Sequence, residues 1–571
     1  MATRRWSGLG PVFAYEWLAA SRRWQGYALR SALVLLLLLG LSAVWLGSRE
    51  VAGEPSVQRM AEVGRGFYAV TTLILLGLVG LAAPAATAGS ICLDKARGNL
   101  ALLFATDLTD AEIVLGKLAA RLAPVLGLIA CAAPVLGLAT LLGGVDPALP
   151  IGATLVCLAC AVFGCTLALT LSVWGRKTHE VLLATYAFGI FWLLSAPIWM
   201  GLNSALPWQI RPDWLPGQLA LFPYNPVFLV LGPLSGPTAM VSIGLGTQAR
   251  FCALGLSTSA LLAAVATWRA RAVVIHQASR AEAARRAERP PRARRGLLAR
   301  FLPSPSLDRD PVLWREWHRR RPSRWSVVVW GLYAAFASGF SLWAIVDALG
   351  GSGTAGRELG GPIGGAQAAA GLLLLSVSAA TSLAEERQRG SLDVLLATPL
   401  STRSIVMGKW WGAFRGVPPL IIGPVLLAAA LSTPAGSVLG PFLIVGLMLA
   451  YGAAITSLGL ALATWLPRMD RAVGLTAGLY VVASIGAVPS AFIFFGDGPD
   501  EAGSGLASAS PLWGVGFTIA VLADQVGPGR EPGRQAAWLA FWIVVYGLIA
   551  SGLLLATLKT FNRCLGRMDD R

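Results

Sequence analysis

Residues 148–173 read ALPIGATLVCLACAVFGCTLALTLSV, without one charged side chain. A helix needs about 20 apolar residues to cross the hydrocarbon core of a bilayer. This run is long enough, and it has no polar stripe to turn toward water. Cys157 and Cys160 form a C-x-x-C inside it, followed by Cys165. The remaining cysteines, Cys92, Cys131, Cys252 and Cys564, also lie in or beside apolar runs, and only three His are scattered along the chain. No second pair stands at zinc-ligand spacing, so the thiols read as packing residues. No metal centre is expected.

The rest of the chain repeats the character of this run. Of 571 residues, 55% are hydrophobic and 13% charged, with a mean hydropathy of +0.65. A soluble domain carries about 25% charged residues. The composition excludes a secreted disulfide scaffold, a disordered chain and an ordinary cytosolic enzyme. Further apolar stretches lie near 28–47, 67–92, 122–143, 181–202 and 251–268. A second set lies near 326–348, 362–384, 416–433, 437–465, 472–495 and 535–558. The leader before residue 28 is too long for a signal peptide, and the run that follows is long enough to span. The expected fold is therefore an all-α polytopic membrane protein with about 12 transmembrane helices in two groups of six.

The segment 269–324 between the groups is rich in arginine, including Arg285-Arg286, Arg294-Arg295 and Arg319-Arg320-Arg321. Cytoplasmic loops collect Lys and Arg, which places this linker and both termini inside. The net charge of +17 then records orientation and contact with anionic headgroups, and nucleic acid is not an expected partner. The expected organisation is a first six-span unit over 1–268, a basic linker over 269–310 and a second unit over 311–571.

The two groups are copies. Pro11-Val12-Phe13-Ala14-Tyr15-Glu16-Trp17 returns as Pro311-Val312-Leu313-Trp314-Arg315-Glu316-Trp317. After the second span of each group, Arg97-Gly98-Asn99-Leu100 matches Arg389-Gly390-Ser391-Leu392. Leu103-Phe104-Ala105-Thr106 matches Leu395-Leu396-Ala397-Thr398, and Ile113 to Lys117 matches Ile405 to Lys409. Trp174 and Trp465 stand at corresponding span ends. Both copies start inside, so the repeat is parallel, two six-helix bundles facing each other across a pathway.

The most informative segment runs from Glu385 to Ser401, EERQRGSLDVLLATPLS. Leu392, Leu395 and Leu396 recur at i, i+3 and i+4, with Glu386, Arg389 and Asp393 on polar faces, which predicts a short amphipathic helix. Pro399 pushes Thr398 out of helical geometry and ends it. Thr109 and Glu112 form a T-x-x-E capping box for the next helix in the first copy, and Ser401 caps the second. Lys117 and Lys409 follow at the cytoplasmic mouth of the third span, where they are expected to snorkel to the interface as anchors.

This string, followed by Ile405-Val406-Met407-Gly408-Lys409, resembles the signature of ABC type-2 exporter permeases. The resemblance implies a coupling helix between spans two and three that docks on a separate ATPase. Its residues would be Glu386, Arg389, Gly390, Leu392, Leu395, Leu396, Thr398 and Pro399, with Asp94, Arg97, Gly98, Leu100 and Leu103 in the first copy. It also implies connecting helices along the inner leaflet, matched by 11–23 and 311–324 with Glu16, Trp17, Glu316 and Trp317. Short external re-entrant helices between spans five and six would fall at Tyr224-Asn225-Pro226-Val227 and over 508–523. The first copy departs from the signature, with Asp94-Lys95-Ala96 for Glu386-Arg387-Gln388 and Asp107 for Pro399. Family subunits commonly carry one six-span unit, whereas this chain carries two. The implied partner is an ABC ATPase, in two copies, and the implied location is a bacterial cytoplasmic (inner) membrane.

No G-x-x-x-x-G-K-[ST] loop is present. Gly116-Lys117 and Gly408-Lys409 are followed by Leu118 and Trp410 and preceded at the loop's first position by Ala111 and Arg403. Such sites cannot wrap a phosphate. The chain is expected to be non-catalytic and to bind no cofactor, with ATP and Mg held by the partner. Two other readings fit a twelve-span chain, a major-facilitator-like secondary transporter and a transport-silent scaffold for an ATPase. Proton-coupled carriers need ionisable groups inside the bundle. Here Asp146 and Asp347 fall at external span ends, and His179 and Glu180 in a cytoplasmic turn.

Overall fold

A computed structural model describes residues 10–22, 24–50, 57–175, 178–205, 217, 219–235, 243–286, 310–318, 324–349, 355–388, 390–432, 439–488, 491, 502–523 and 532–566. Among these every regular element is helical. The first half runs α1 (Gly10–Ser21), α2 (Trp24–Glu50), α3 (Val57–Thr87), α4 (Gly89–Arg97), α5 (Asn99–Phe104), α6 (Asp110–Leu141), α7 (Ala148–Trp174), α8 (Thr178–Ala205), α9 (Pro226–Leu231) and α10 (Leu245–Arg286). The second half runs α11 (Pro311–His318), α12 (Arg324–Leu349), α13 (Ala355–Gln388), α14 (Ser391–Leu396), α15 (Thr402–Phe414), α16 (Val417–Leu431), α17 (Leu439–Trp465), α18 (Met469–Val481), α19 (Ala502–Ala507), α20 (Pro511–Leu522) and α21 (Pro532–Leu565). A π-helical turn, Val482–Gly486, prolongs α18. The order of elements corresponds in the two halves, with breaks at different places: α3 and α4 answer α13, and α6 answers α15 and α16.

Nine helices among the described residues are long and apolar enough to cross a membrane. At the other three expected spans shorter apolar stretches lie within α2, α8 and α18 with its π turn, over 26–42, 180–193 and 471–486. Boundaries shift at the ends that carry the motif. The third spans begin at Asp110 and Thr402, at the predicted caps, rather than near 122 and 416. The sixth span of the first half does not stop at 268. Its helix α10 continues to Arg286, so the first part of the expected linker is helical and prolongs the span. Where the short re-entrant helices are expected stand α9 and the α19–α20 pair.

The second span of each half is the axis of its bundle. α3 packs on α6 and α7, and α13 packs on α16, α17 and α20. Span five of each half ties back to span two by one buried hydroxyl. Tyr186 Oη donates to Leu81 O at 2.9 Å, and Tyr480 Oη donates to Ala369 O at 2.7 Å. The two halves meet reciprocally, with α3 against α18 and α13 against α8. Leu81, Ala85, Leu182 and Tyr186 form one buried apolar cluster with Leu374, Val377, Val473 and Ala477.

Close approach of α13 and α20 depends on glycine. Gly365 lies against Leu512 O and Gly516 Cα, and a Cβ at Gly361 would stand 2.7 Å from Gly516 O. Small residues let membrane helices pack backbone to backbone. Gly365→Leu is expected to push α20 outward and cost about 1–3 kcal/mol, the range for overpacked cores. Gly331→Leu, whose Cβ would meet nothing within 4 Å, is the control. Thermal unfolding in detergent checks this. Equal melting of the two variants would refute the close-packing argument.

Candidate functional site

The adjoining ends of spans two and three carry the sequence motif, and backbone geometry divides it. Gly98 and Gly390 hold φ of +77° and +69°, a left-handed conformation that costs other residues. Each glycine ends the span-two helix and turns the chain into a six-residue helix, α5 or α14. Glu386 and Asp94 therefore lie on the ends of α13 and α4. They do not belong to the short helices, where the amphipathic reading had put Glu386. Arg389 lies outside the described residues, as does the side chain of Arg97.

The next helices start as their caps require. Thr109 Oγ1 accepts from Glu112 N at 3.2 Å, while Glu112 Oε2 accepts from Thr109 N at 2.8 Å. Ser401 Oγ accepts from Ser404 N at 3.2 Å. At the end of α14, Thr398 Oγ1 donates to Leu395 O at 2.6 Å, and Pro399 is exposed beyond it.

Lys117 and Lys409 do not snorkel, which corrects the expectation that they anchor the interface. They are 3% and 2% exposed. Each turns inward because two carboxylates wait there. Lys117 Nζ lies 2.8 Å from Glu16 Oε1 and 2.5 Å from Asp94 Oδ2. Lys409 Nζ binds Glu316 Oε1, and lies 2.6 Å from Glu386 Oε1. Both nodes thus join the same three elements: the amphipathic helix before span one, the end of span two and the first turns of span three. The shorter Asp94 takes the place of Glu386 without loss of contact.

One lysine between two carboxylates leaves a net negative charge, and a buried charge is costly when unpaired. Each half balances it differently. In the first, Arg121 of α6 comes within 3.4 Å of Glu16 Oε2. In the second, Arg315 of α11 comes within 3.8 Å of Glu386 Oε1. The balance is kept by residues that are not equivalent in the repeat.

A second pair of contacts ties span two to span four. Lys95 Nζ donates to Val173 O at 2.8 Å and Gly175 O at 2.6 Å, at the end of α7. Arg387 Nη1 donates to Thr464 O at 3.2 Å and Leu466 O at 3.4 Å, at the end of α17. A cation there satisfies carbonyls left open by the helix end and meets its negative dipole.

The leucines of the motif face the bundle. Leu100 and Leu392 are buried, as is Leu395, while Leu103 and Leu396 are partly buried against the core. The outward side of each short helix is apolar at one equivalent position, Leu102 at 70% exposed and Val394 at 71%. Asn99, Ala105, Thr106 and Asp107 surround the first, and Asp393, Ala397 and Pro399 the second, all exposed. Trp17 is exposed on α1 and stacks on Phe13, with ring centroids 6.1 Å apart. Trp317 receives the Arg415 guanidinium over its ring at 5.6 Å.

Sequence reasoning missed Arg121, Arg315, Lys95, Arg387, Leu102 and Val394. The alignment of the halves held a signal for two of these pairs, since Lys95 and Arg387 are both basic and Leu102 and Val394 both apolar. Among the described residues no group of three His, Cys, Asp or Glu side chains stands where it could hold a metal ion. Five of the seven cysteines are buried, and none is in a disulfide.

No curated protein matches the chain. Residues 364–551, from α13 into α21, match the family model for the ABC-2 family transporter protein. That segment includes the second short helix and, of its lysine node, Lys409 and Glu386 but not Glu316. Members of that family are membrane components that work with an ABC ATPase subunit. Over residues 364–551 the chain is therefore similar to the ABC-2 family transporter proteins, and its long apolar helices make it a multi-pass membrane protein.

Proposed function

We propose that this chain is a complete transmembrane pathway of an ATP-driven exporter, two six-span permease units fused head to tail and served by two copies of a separate ATPase. The observation that supports this is duplication of the whole cytoplasmic assembly. Glu16, Asp94 and Lys117 answer Glu316, Glu386 and Lys409, each beside a short helix with one exposed apolar side chain. A docked ATPase would press on α5 and α14. The nodes would pass that movement to α1 and α11 and to the third spans, because three elements held on one buried ammonium move together.

In this reading the motif residues do no bond chemistry, and ATP and Mg stay with the partner. Both termini face the cytoplasm, and the membrane is the bacterial inner membrane. The cargo is apolar or amphipathic. A cavity of about 300 Å³ at the seam is lined by side chains such as Leu171, Phe188, Phe191, Val329, Leu332 and Phe336. A secondary transporter is disfavoured by the family match, and a transport-silent scaffold differs only in its output.

Affinity purification from the native membrane tests the proposal. The expected result is a co-purifying ABC ATPase at two copies per chain, read by native mass spectrometry. Intact chain without any ATPase would overturn it. Two chains per pair of ATPases would overturn the fused-pathway part, and ATP-dependent binding without vesicle uptake of lipid-like cargo would favour the scaffold.

A further inference from the structure

The end of each half's last span reaches the turn that follows the short helix, and here the halves differ in chemistry. In the first half Arg271 of α10 reaches the far end of α5. Its Nη2 donates to Phe104 O at 3.2 Å, and its guanidinium lies 5.7 Å from the Phe104 ring centroid. Its Nε stands 3.1 Å from Asp110 Oδ1, at the first residue of α6. One cation thus bridges both ends of the turn that follows the short helix. It meets the negative end of α5 and the positive start of α6 through Asp110, both in the favourable sense.

The equivalent contact in the second half is neutral. Thr402, which opens α15 as Asp110 opens α6, donates from Oγ1 to Asn562 Oδ1 of α21 at 2.7 Å. Asn562 stands on the last span where Arg271 stands on α10. Here the last span meets the start of α15 rather than the short helix itself, and neither Thr402 nor Asn562 carries a charge.

We infer that Arg271 is a positioning residue that clamps the first coupling helix to the last span by charge, while in the second half the last span holds the start of α15, just after the coupling helix, through the neutral Asn562–Thr402 pair. The two ATPase-facing ends are then not equivalent. The first yields to ionic strength and the second does not. The inference rests on the docking reading above for its consequence, but the clamp itself belongs to the chain alone.

The side chains of Arg271 and Asp110 are 48% and 31% exposed. A pair so open to solvent adds little to overall stability and is screened by salt. Its value lies in orientation, so a variant should leave the fold intact while loosening one helix.

The test uses nitroxide labels at Leu102→Cys or Val394→Cys in a Cys564→Ser background, with purified full-length chain. Arg271→Gln is expected to raise label mobility at 102 and leave 394 unchanged. Asn562→Ala is expected to do the reverse. Raising salt from about 50 mM to about 500 mM should mimic Arg271→Gln at 102 only. Exchanging the charges, Arg271→Asp with Asp110→Arg, should restore part of the order. In the complex with the co-purified ATPase, Arg271→Gln should lower stimulation about three-fold, in the range for residues that carry coupling between sites. Unchanged mobility at 102, or equal loosening at both positions, would overturn the clamp. A mobility change at 102 with no change in stimulation would overturn its role in coupling. Failure to recover any ATPase from unaltered chain would fall on the docking reading, and the mobility measurement would still decide the clamp.

Discussion

Lys409→Met is expected to destabilise the protein by about 3–5 kcal/mol, the cost of removing one partner from a buried ion pair. The lysine is 2% exposed and sits between Glu316 and Glu386. Without it two carboxylates share a dry site, with Arg315 3.8 Å from Glu386. The chain must then protonate a carboxylate, admit water or release α11 from the bundle. Each of these loosens the junction of α11, α13 and α15. Thermal unfolding of the purified protein in detergent, followed by tryptophan fluorescence, reads the loss.

The companion variant separates charge from shape. Lys409→Met with Glu316→Gln and Glu386→Gln leaves no uncompensated charge and should recover most of the stability, since buried ion groups are often replaceable as a set. Lys117→Met should behave in the same direction. Arg121 at 3.4 Å and the larger exposure of Glu16 and Asp94 leave the first node wetter, so its loss should be smaller. If Lys409→Met melts with the unaltered protein, the node does not hold these helices together.

The second large effect is functional. Leu102→Asp with Val394→Asp is expected to abolish stimulation of the partner ATPase, by about ten-fold or more, with the melting temperature unchanged. Both side chains lie in the open, 70% and 71% exposed, so the fold loses nothing when they become charged. A docked partner would have to bury those carboxylates against apolar surface, which costs several kcal/mol without a matching cation. Central apolar anchors commonly dominate such interfaces. Leu100→Asp and Leu392→Asp are the contrast, because those residues are buried and their substitution should unfold the cytoplasmic end. Full stimulation by the double aspartate variant would remove the short helices from the docking site.

The two predictions mark where local reading of the sequence succeeds and where it stops. The caps were legible: Thr109–Glu112 and Ser401 cap where expected, because such features involve residues within a few positions of one another. The break at Gly390, which takes Glu386 off the short helix, was not legible. The leucine periodicity correctly marked a buried side for α5 and α14. It could not say that the opposite side bears Leu102 and Val394, since an isolated exposed apolar residue has no signature.

The lysines show the limit most clearly. A lysine at a span mouth reads as a snorkelling anchor when its neighbours in sequence are apolar. Its partners here come from 16 and 94, and from 316 and 386, so only the packing of α1 on α6 and α11 on α15 brings them to it. Arg121 and Arg315 balance the two nodes from different elements, so even the repeat did not point to them.

By itself the sequence determined a membrane-spanning all-α chain, its internal repeat and the approximate positions of its two short helices after the second spans. Those follow from hydropathy, turn chemistry and self-similarity, which act over short distances or by direct comparison. Tertiary structure decided which way the charged side chains turn, which elements each lysine joins and how the last span grips the turn after each short helix. Buried charge is settled by whatever counter-charge the packed helices bring within about 4 Å, and that distance does not exist along the chain.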